Sequence, residues 1–259
     1  YTTSDGIYIQ NQIVMKGDTT GPVSAEFVLK DPTVNFAVLE CARGGLLRAG
    51  LGFKRCEVGI VTNVAPDHLG LRGINTIEQL AKVKGVIPET VLPDGYAILN
   101  ADDDLVYEMR RNINCNLALF SMDENNPRIK ALQKLGGITA VYEDGYVTLC
   151  RGVWKMRVMR AENIPLTFGG KADFMIQNIL PAIIAANVQG IPIDDMRAAL
   201  ETFIPSPSQT PGRMNMFNFD NFDVLLDFAH NASGMEALKV FTDKYDATKK
   251  VGVIAGVGD

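Results

Sequence analysis

Three short segments place carboxylates and imidazoles directly after apolar runs. Glu40 follows Phe36-Ala37-Val38-Leu39 and precedes Ala42-Arg43-Gly44-Gly45. A carboxylate at a strand end facing a ligand crevice could hold Mg²⁺ through hard oxygen ligation; a solvated acid at the end of a strand is the alternative. Thr62-Asn63-Val64-Ala65-Pro66-Asp67-His68 follows a second apolar run and carries one of the two histidines of the chain. Imidazole can ligate a metal or contact phosphate, with Asp67 fixing its tautomer; Asp67 as a helix cap beside an incidental histidine is equally open. Asp227-Phe228-Ala229-His230-Asn231 places the other histidine after a third apolar run. Two such Asp/His loops in separate parts of the chain suggest a cleft lined by both.

These loops need strands to carry them. Phe36–Cys41, Val58–Val64, Tyr96–Asn100 and Leu117–Met122 read as buried strands, because each is a short continuous apolar run. Ile77–Val91, Leu105–Arg111 and Arg128–Leu135 read as helices between them, and the alternation predicts an α/β fold with a mostly parallel, doubly wound sheet. Ligands on such sheets bind beyond the carboxyl ends of the strands. From Ile138 to Leu166 the pattern shifts to Ala140–Tyr142, Val147–Cys150 and Trp154–Arg160, with Asp144-Gly145 as a hairpin turn, which predicts a small antiparallel sheet. Phe174–Val188 and Asp194–Phe203 read as helices. Pro205–Gly212 is rich in proline and small polar residues and reads as a domain linker. Beyond it, Val224–Phe228, Ser233–Tyr245 and Lys250–Ala255 read as the opening βαβ of a second, Rossmann-like domain.

Composition is that of a globular chain: 259 residues, 47% hydrophobic and 21% charged. The net charge of −5 argues against binding nucleic acid, whose phosphates draw their affinity from Lys and Arg. Cys41, Cys56, Cys115 and Cys150 are widely spaced without a C-x-x-C pair, so neither a zinc site nor a disulfide framework is expected. No apolar stretch reaches the roughly 18 residues of a membrane span, and a cytoplasmic protein that does not enter the membrane is expected. The chain starts without Met and stops at Gly256-Val257-Gly258-Asp259, so both ends read as cuts through a longer protein.

Five segments in register resemble the Mur ligase and folylpolyglutamate synthetase superfamily. They are Glu40, Thr62–His68, Asn100-Ala101-Asp102-Asp103, Pro211-Gly212-Arg213 and Asp227–Asn231. The resemblance implies an ATP-dependent ligase that joins a carboxylate to an amine, with a central domain over 1–204, a linker over 205–212 and a partial C-terminal domain over 213–259. It implies that Glu40, His68 and a carbamylated lysine hold Mg²⁺. Lys84 aligns with that lysine in Thr76-Ile77-Glu78-Gln79-Leu80-Ala81-Lys82-Val83-Lys84-Gly85; Lys82 is the second candidate, and a plain solvated helix lysine must be right for at least one of them. It further implies that Arg213 approaches the ATP phosphates and acts with Lys84 and His68 in catalysis. Asp227 would hold the ribose, His230 and Asn231 would lie by the nucleotide, and Asn178 would contact adenine; Asn178 as an ordinary buried helix residue is the alternative.

More narrowly, Tyr1–Ile9, Leu39–Gly45 and Gly70–Asp104 are similar to the cyanophycin synthetase branch, enzymes that build a polyaspartate backbone bearing arginine. That implies arginine and an aspartate-based polymer primer as partners, and a homo-oligomeric full-length protein. A Mur-type ligase acting on peptidoglycan precursors or folate, or a catalytically silent Mur-like binding module, are the competing readings. The family's G-x-x-G-K-[S/T] phosphate loop, carried just before the T-T-S-D segment, has no counterpart in this sequence, so this stretch alone is expected to be inactive.

Overall fold

The computed structural model describes residues 1–66, 69–70 and 72–254. The chain divides into two compact units, Tyr1–Leu99 with Asp103–Leu117, and Asn100–Asp102 with the residues from Ala118 onward.

The first unit opens with a β-hairpin, β1 (Gly6–Ile9) and β2 (Gln12–Lys16), turned by Gln10 and Asn11 at positive φ. Two helices follow, α1 (Pro22–Lys30) and α2 (Arg43–Ala49). The central pair is β3 (Cys56–Val61) and β4 (Val91–Asn100), parallel and joined through α3 (Ile77–Glu89). α3 starts on a reciprocal cap: the Thr76 hydroxyl accepts from the Gln79 N–H, and the Gln79 side chain accepts from the Thr76 N–H. That arrangement satisfies two of the helix's orphan donors. The β3–β4 register jumps from Cys56↔Val91 to Val58↔Tyr96. Leu92-Pro93-Asp94-Gly95 therefore bulges out, as a proline without an N–H requires. The in-register part of β4 begins at the predicted Tyr96. Gly95 is obligatory there, since a Cβ would lie 2.3 Å from the Glu57 carbonyl oxygen. α4 (Asp104–Glu108) then runs into a 3-10 turn at Met109–Asn112, where one longer helix was expected. Val61, Leu80, Ala97, Ile98 and Val106 form the buried floor.

In the second unit, β5 (Asn116–Ser121, its last four residues here) pairs in parallel with β6 (Ile138–Glu143) across α5 (Pro127–Lys134). β7 (Tyr146–Arg151) and β8 (Trp154–Arg160) extend the same sheet antiparallel. The predicted small sheet is thus the continuation of a parallel one. Asp144 and Gly145 both take positive φ, as a type I′ turn demands. α6 (Asp173–Val188) and α7 (Ile193–Thr202) cover this sheet, with Ile176, Leu180 and Ile184 of α6 buried. The last part holds β9 (Asn215–Asn218) antiparallel to β10 (Asp223–Leu226), then α8 (Ala232–Lys244). Phe241 of α8 packs into a small core with Ala172 and Met214, against Phe174 of α6.

Two expected strands are absent among the described residues. Phe36–Cys41 carries only a single bridge, Thr2↔Leu39, and leaves Phe36 58% and Val38 61% exposed. An apolar run becomes a strand only where a ladder partner lies alongside, and one bridge is not a ladder. Lys250–Ile254 is likewise outside any strand and its apolar side chains are exposed; Ala255 lies outside the described residues. β10 and α8 therefore lack the third element of the expected βαβ, and β10 pairs instead with the unexpected β9.

Candidate active site

In the first unit the residues gather around the segment after β3. Lys84 projects from α3 and its Nζ donates to the Asn63 carbonyl oxygen at 2.9 Å. Lys82 is exposed. Residues two apart on a helix point about 200° away from each other, so only one of the pair can face this loop. From another side Asp103 reaches the same segment: its Oδ2 accepts from the Val64 N–H at 2.7 Å, while its Oδ1 accepts from the Val106 N–H at 3.0 Å and caps α4. His68, assigned to the metal and to catalysis, lies with Asp67 outside the described residues.

Glu40 is exposed, and its Oε2 accepts from the Ser4 N–H at 3.2 Å. The Glu40 N–H donates to the Thr2 carbonyl and hydroxyl oxygens. The acid thus sits beside the Thr2–Asp5 turn, at the rim of a narrow crevice lined by Thr20, Gly21, Cys41 and Leu46. Its neighbour Cys41 is no thiolate: burial first, then the proximity of Cys56 and Glu40, pushes its pKa up to about 11. All four cysteines are free. The donor chemistry at Glu40 suits Mg²⁺, an exposed carboxylate being a hard oxygen ligand. The Lys84 amine does not suit a cation as it stands and would do so only as a carbamate.

In the second unit four of the predicted residues come together. The Arg213 guanidinium lies over the Phe228 ring, 4.7 Å from its centroid, and the His230 ring sits 5.2 Å from the same ring. His230 Nδ1 is 3.0 Å from the Phe228 carbonyl oxygen. A carbonyl only accepts, so Nδ1 is the donor in this contact. Asp227 uses one oxygen for the Met214 N–H at 2.9 Å and the other for the Ala229 N–H at 2.8 Å. Asn231 caps α8 through the Gly234 N–H. Asn178 is exposed on α6, one turn beyond Phe174; it is not the buried helix residue of the alternative reading.

Two contributions escaped sequence reasoning. Phe228 is the platform between Arg213 and His230, and Asp103 fastens the loop after β3. The four-residue resemblance Asn100–Asp103 marked the strand end, and an acid three positions before Val106 is a cap signal; nothing in the sequence announced the second oxygen's partner. Asp102, beside it, serves a different purpose, accepting from the Ser121 hydroxyl, the Met122 N–H and the Asn126 amide.

With its parallel strand pairs and crossover helices, the molecule is an α/β domain of the kind whose ligands bind beyond the strand ends. The Mur ligase middle domain matches residues 5–186, and the chain belongs to the Mur ligase family. Over all 259 residues it is 53% identical to cyanophycin synthetase from Geminocystis herdmanii, and it spans 30% of that relative's length. It is 24% identical to UDP-N-acetylmuramoyl-L-alanyl-D-glutamate--L-lysine ligase from Staphylococcus aureus, covering 100% of this chain and 50% of that one. Among solved structures, MurF from Acinetobacter baumannii shares the fold, with a TM-score of 0.59 at 20% identity over 83% of this chain and 44% of that chain. Among the described residues no helix is long and apolar enough to cross a membrane.

Proposed function

We propose that this chain is the Mur-ligase-like part of a larger ATP-dependent enzyme that adds arginine to the β-carboxylate of an aspartate-based polymer. The observation that carries the reading is the 53% identity to a cyanophycin synthetase over the whole chain. In this reading ATP phosphorylates the β-carboxylate, the arginine amine attacks the resulting acyl phosphate, and the tetrahedral adduct collapses to an amide with release of phosphate. Catalysis of this kind is positioning and charge neutralisation.

Glu40, His68 and Lys84, the last as a carbamate, would hold Mg²⁺. Bound there, the metal would neutralise charge on the transferring phosphate. Arg213 lies over the Phe228 ring, and a guanidinium suits phosphate oxygens. Asp227, His230, Asn231 and Asn178 would take the rest of the nucleotide. Residues 1–204 would then form the central domain, 205–212 the linker and 213–259 the start of the C-terminal domain.

The test uses the full-length parent and phosphate release, with arginine or aspartate supplied separately on its matching primer. Glu40→Ala should abolish arginine-dependent release and spare aspartate-dependent release. Equal loss of both activities, or loss of neither, would sink the assignment.

A further inference from the structure

The two contacts on the segment after β3 meet on one peptide group. Lys84 Nζ holds the carbonyl oxygen of Asn63, and Asp103 Oδ2 holds the N–H of Val64. These are the two polar ends of the same planar amide, which point in opposite directions. A cation at the oxygen and an anion at the N–H both align with the peptide dipole, so the plane is clamped from two elements, α3 and the turn entering α4. Val64 is only 7% exposed, and its N–H would be left without a partner if the carboxylate were removed. A helix cap needs one acceptor oxygen, which serine or asparagine also supplies; the second oxygen of Asp103 is spent outside the helix.

We propose that Asp103 is a positioning residue for the arginine-adding reaction, holding the Asn63–Val64 peptide in place as Lys84 changes chemical state. This rests on the proposed function, in which Lys84 becomes a carbamate. There the Lys84 amine, having lost its proton, attacks CO₂; an N–C bond forms, one C–O π bond becomes the carboxylate and a second proton leaves Nζ. The ammonium that grips the Asn63 carbonyl is thereby consumed. Asp103 is the anchor that remains on the far end of the same peptide, so the loop leading to His68 keeps its course through the modification.

The experiment compares Asp103→Ser and Asp103→Asn in the full-length enzyme. Serine keeps an acceptor for the Val106 N–H but cannot reach Val64; asparagine keeps the size and offers one acceptor for two N–H groups. Amide exchange over 62–66 should accelerate about 10- to 100-fold, the range expected for a lost charge-assisted hydrogen bond, while 104–108 stays protected. The Mg²⁺ concentration giving half-maximal arginine-dependent phosphate release should rise by a similar factor, with KM for arginine unchanged. Unchanged exchange over 62–66 in either folded variant overturns the positioning role. Faster exchange with fully retained arginine addition overturns instead the proposed function of this loop. If the serine variant does not fold, the asparagine variant decides by the same two readouts.

Discussion

Arg213 and Phe228 form a cation–π pair across the strand-to-helix loop of the C-terminal part, with the guanidinium 4.7 Å from the ring centroid. Phe228 is 53% exposed, so the pair falls in the weaker range, about 0.5–1 kcal/mol. Phe228→Leu should therefore weaken Mg-ATP binding by the full-length enzyme about two- to fivefold. Arg213→Ala should weaken it further, because it removes the charge as well. Titration calorimetry on the three proteins checks the order; equal affinities would show that Phe228 does not place the arginine.

Lys84 and Lys82 separate by a chemical readout. With ¹³C-bicarbonate, the full-length enzyme should show a carbamate carbon resonance that persists in Lys82→Arg and is lost in Lys84→Arg. Arginine-dependent phosphate release should follow the same pattern. A carbamate signal surviving in Lys84→Arg would move the modification elsewhere.

Glu143 lies at the end of β6 with its side chain 3% exposed, bonded to Lys155, which also binds Glu124. Burial, the largest single effect, would raise the Glu143 pKa, but the hydrogen bond and charge of Lys155 together with the neighbouring polar side chains outweigh it and hold the acid below its ordinary value. The bond to Glu143 correspondingly raises Lys155. For a depressed acid the stabilisation is complete above the unfolded pKa of about 4.3 and is lost as pH falls through the lower folded value. For the raised lysine it is complete below about 10.4 and is lost as pH rises beyond. Glu143→Gln should flatten the acid limb of the stability curve between about pH 5 and 2, as read from denaturant midpoints. An acid limb identical to that of the wild type would show that the pair contributes nothing.

Thr76→Ala removes the acceptor for the Gln79 N–H at the start of α3. The expected cost is about 0.5–2 kcal/mol of stability, with Thr76→Ser close to neutral. Because α3 carries Lys84, arginine-dependent turnover of the alanine variant should fall at the temperature where exchange across 77–80 rises. Turnover falling with no change in exchange there would separate the cap from the site.

The parts of the fold that could be read in advance are those whose local chemistry matches their tertiary role. Asp144-Gly145 needed no partner to announce a turn, and β6, β7 and β8 fall within a few residues of their predicted limits. Phe36–Cys41 and Lys250–Ile254 misled because an apolar run records a tendency to be covered, not what covers it. β9, Asn215-Met216-Phe217-Asn218, was hidden by its two asparagines. In the site, the family resemblance brought Arg213, Asp227, His230 and Asn231 onto one short list, and the structure sets Arg213 and His230 against Phe228. Lys84 reaches the Asn63 carbonyl, a contact that helical periodicity alone does not announce.

The two-residue turns between β6, β7 and β8 also set an order in time. Those strands pair residues such as Glu143 and Tyr146, adjacent but for the turn, whereas β3 and β4 pair Val61 with Leu99 across the whole of α3. Closing a short loop costs less chain entropy than closing a long one, and hairpins form in about 1–10 μs. The meander should therefore nucleate folding, with pulse-labelled amides of Val147 and Leu149 protected before those of Ile98 and Leu99. On the ribosome, the strand pair that leads to the loop after β3 emerges early, yet the segment made later is the one poised to fold first.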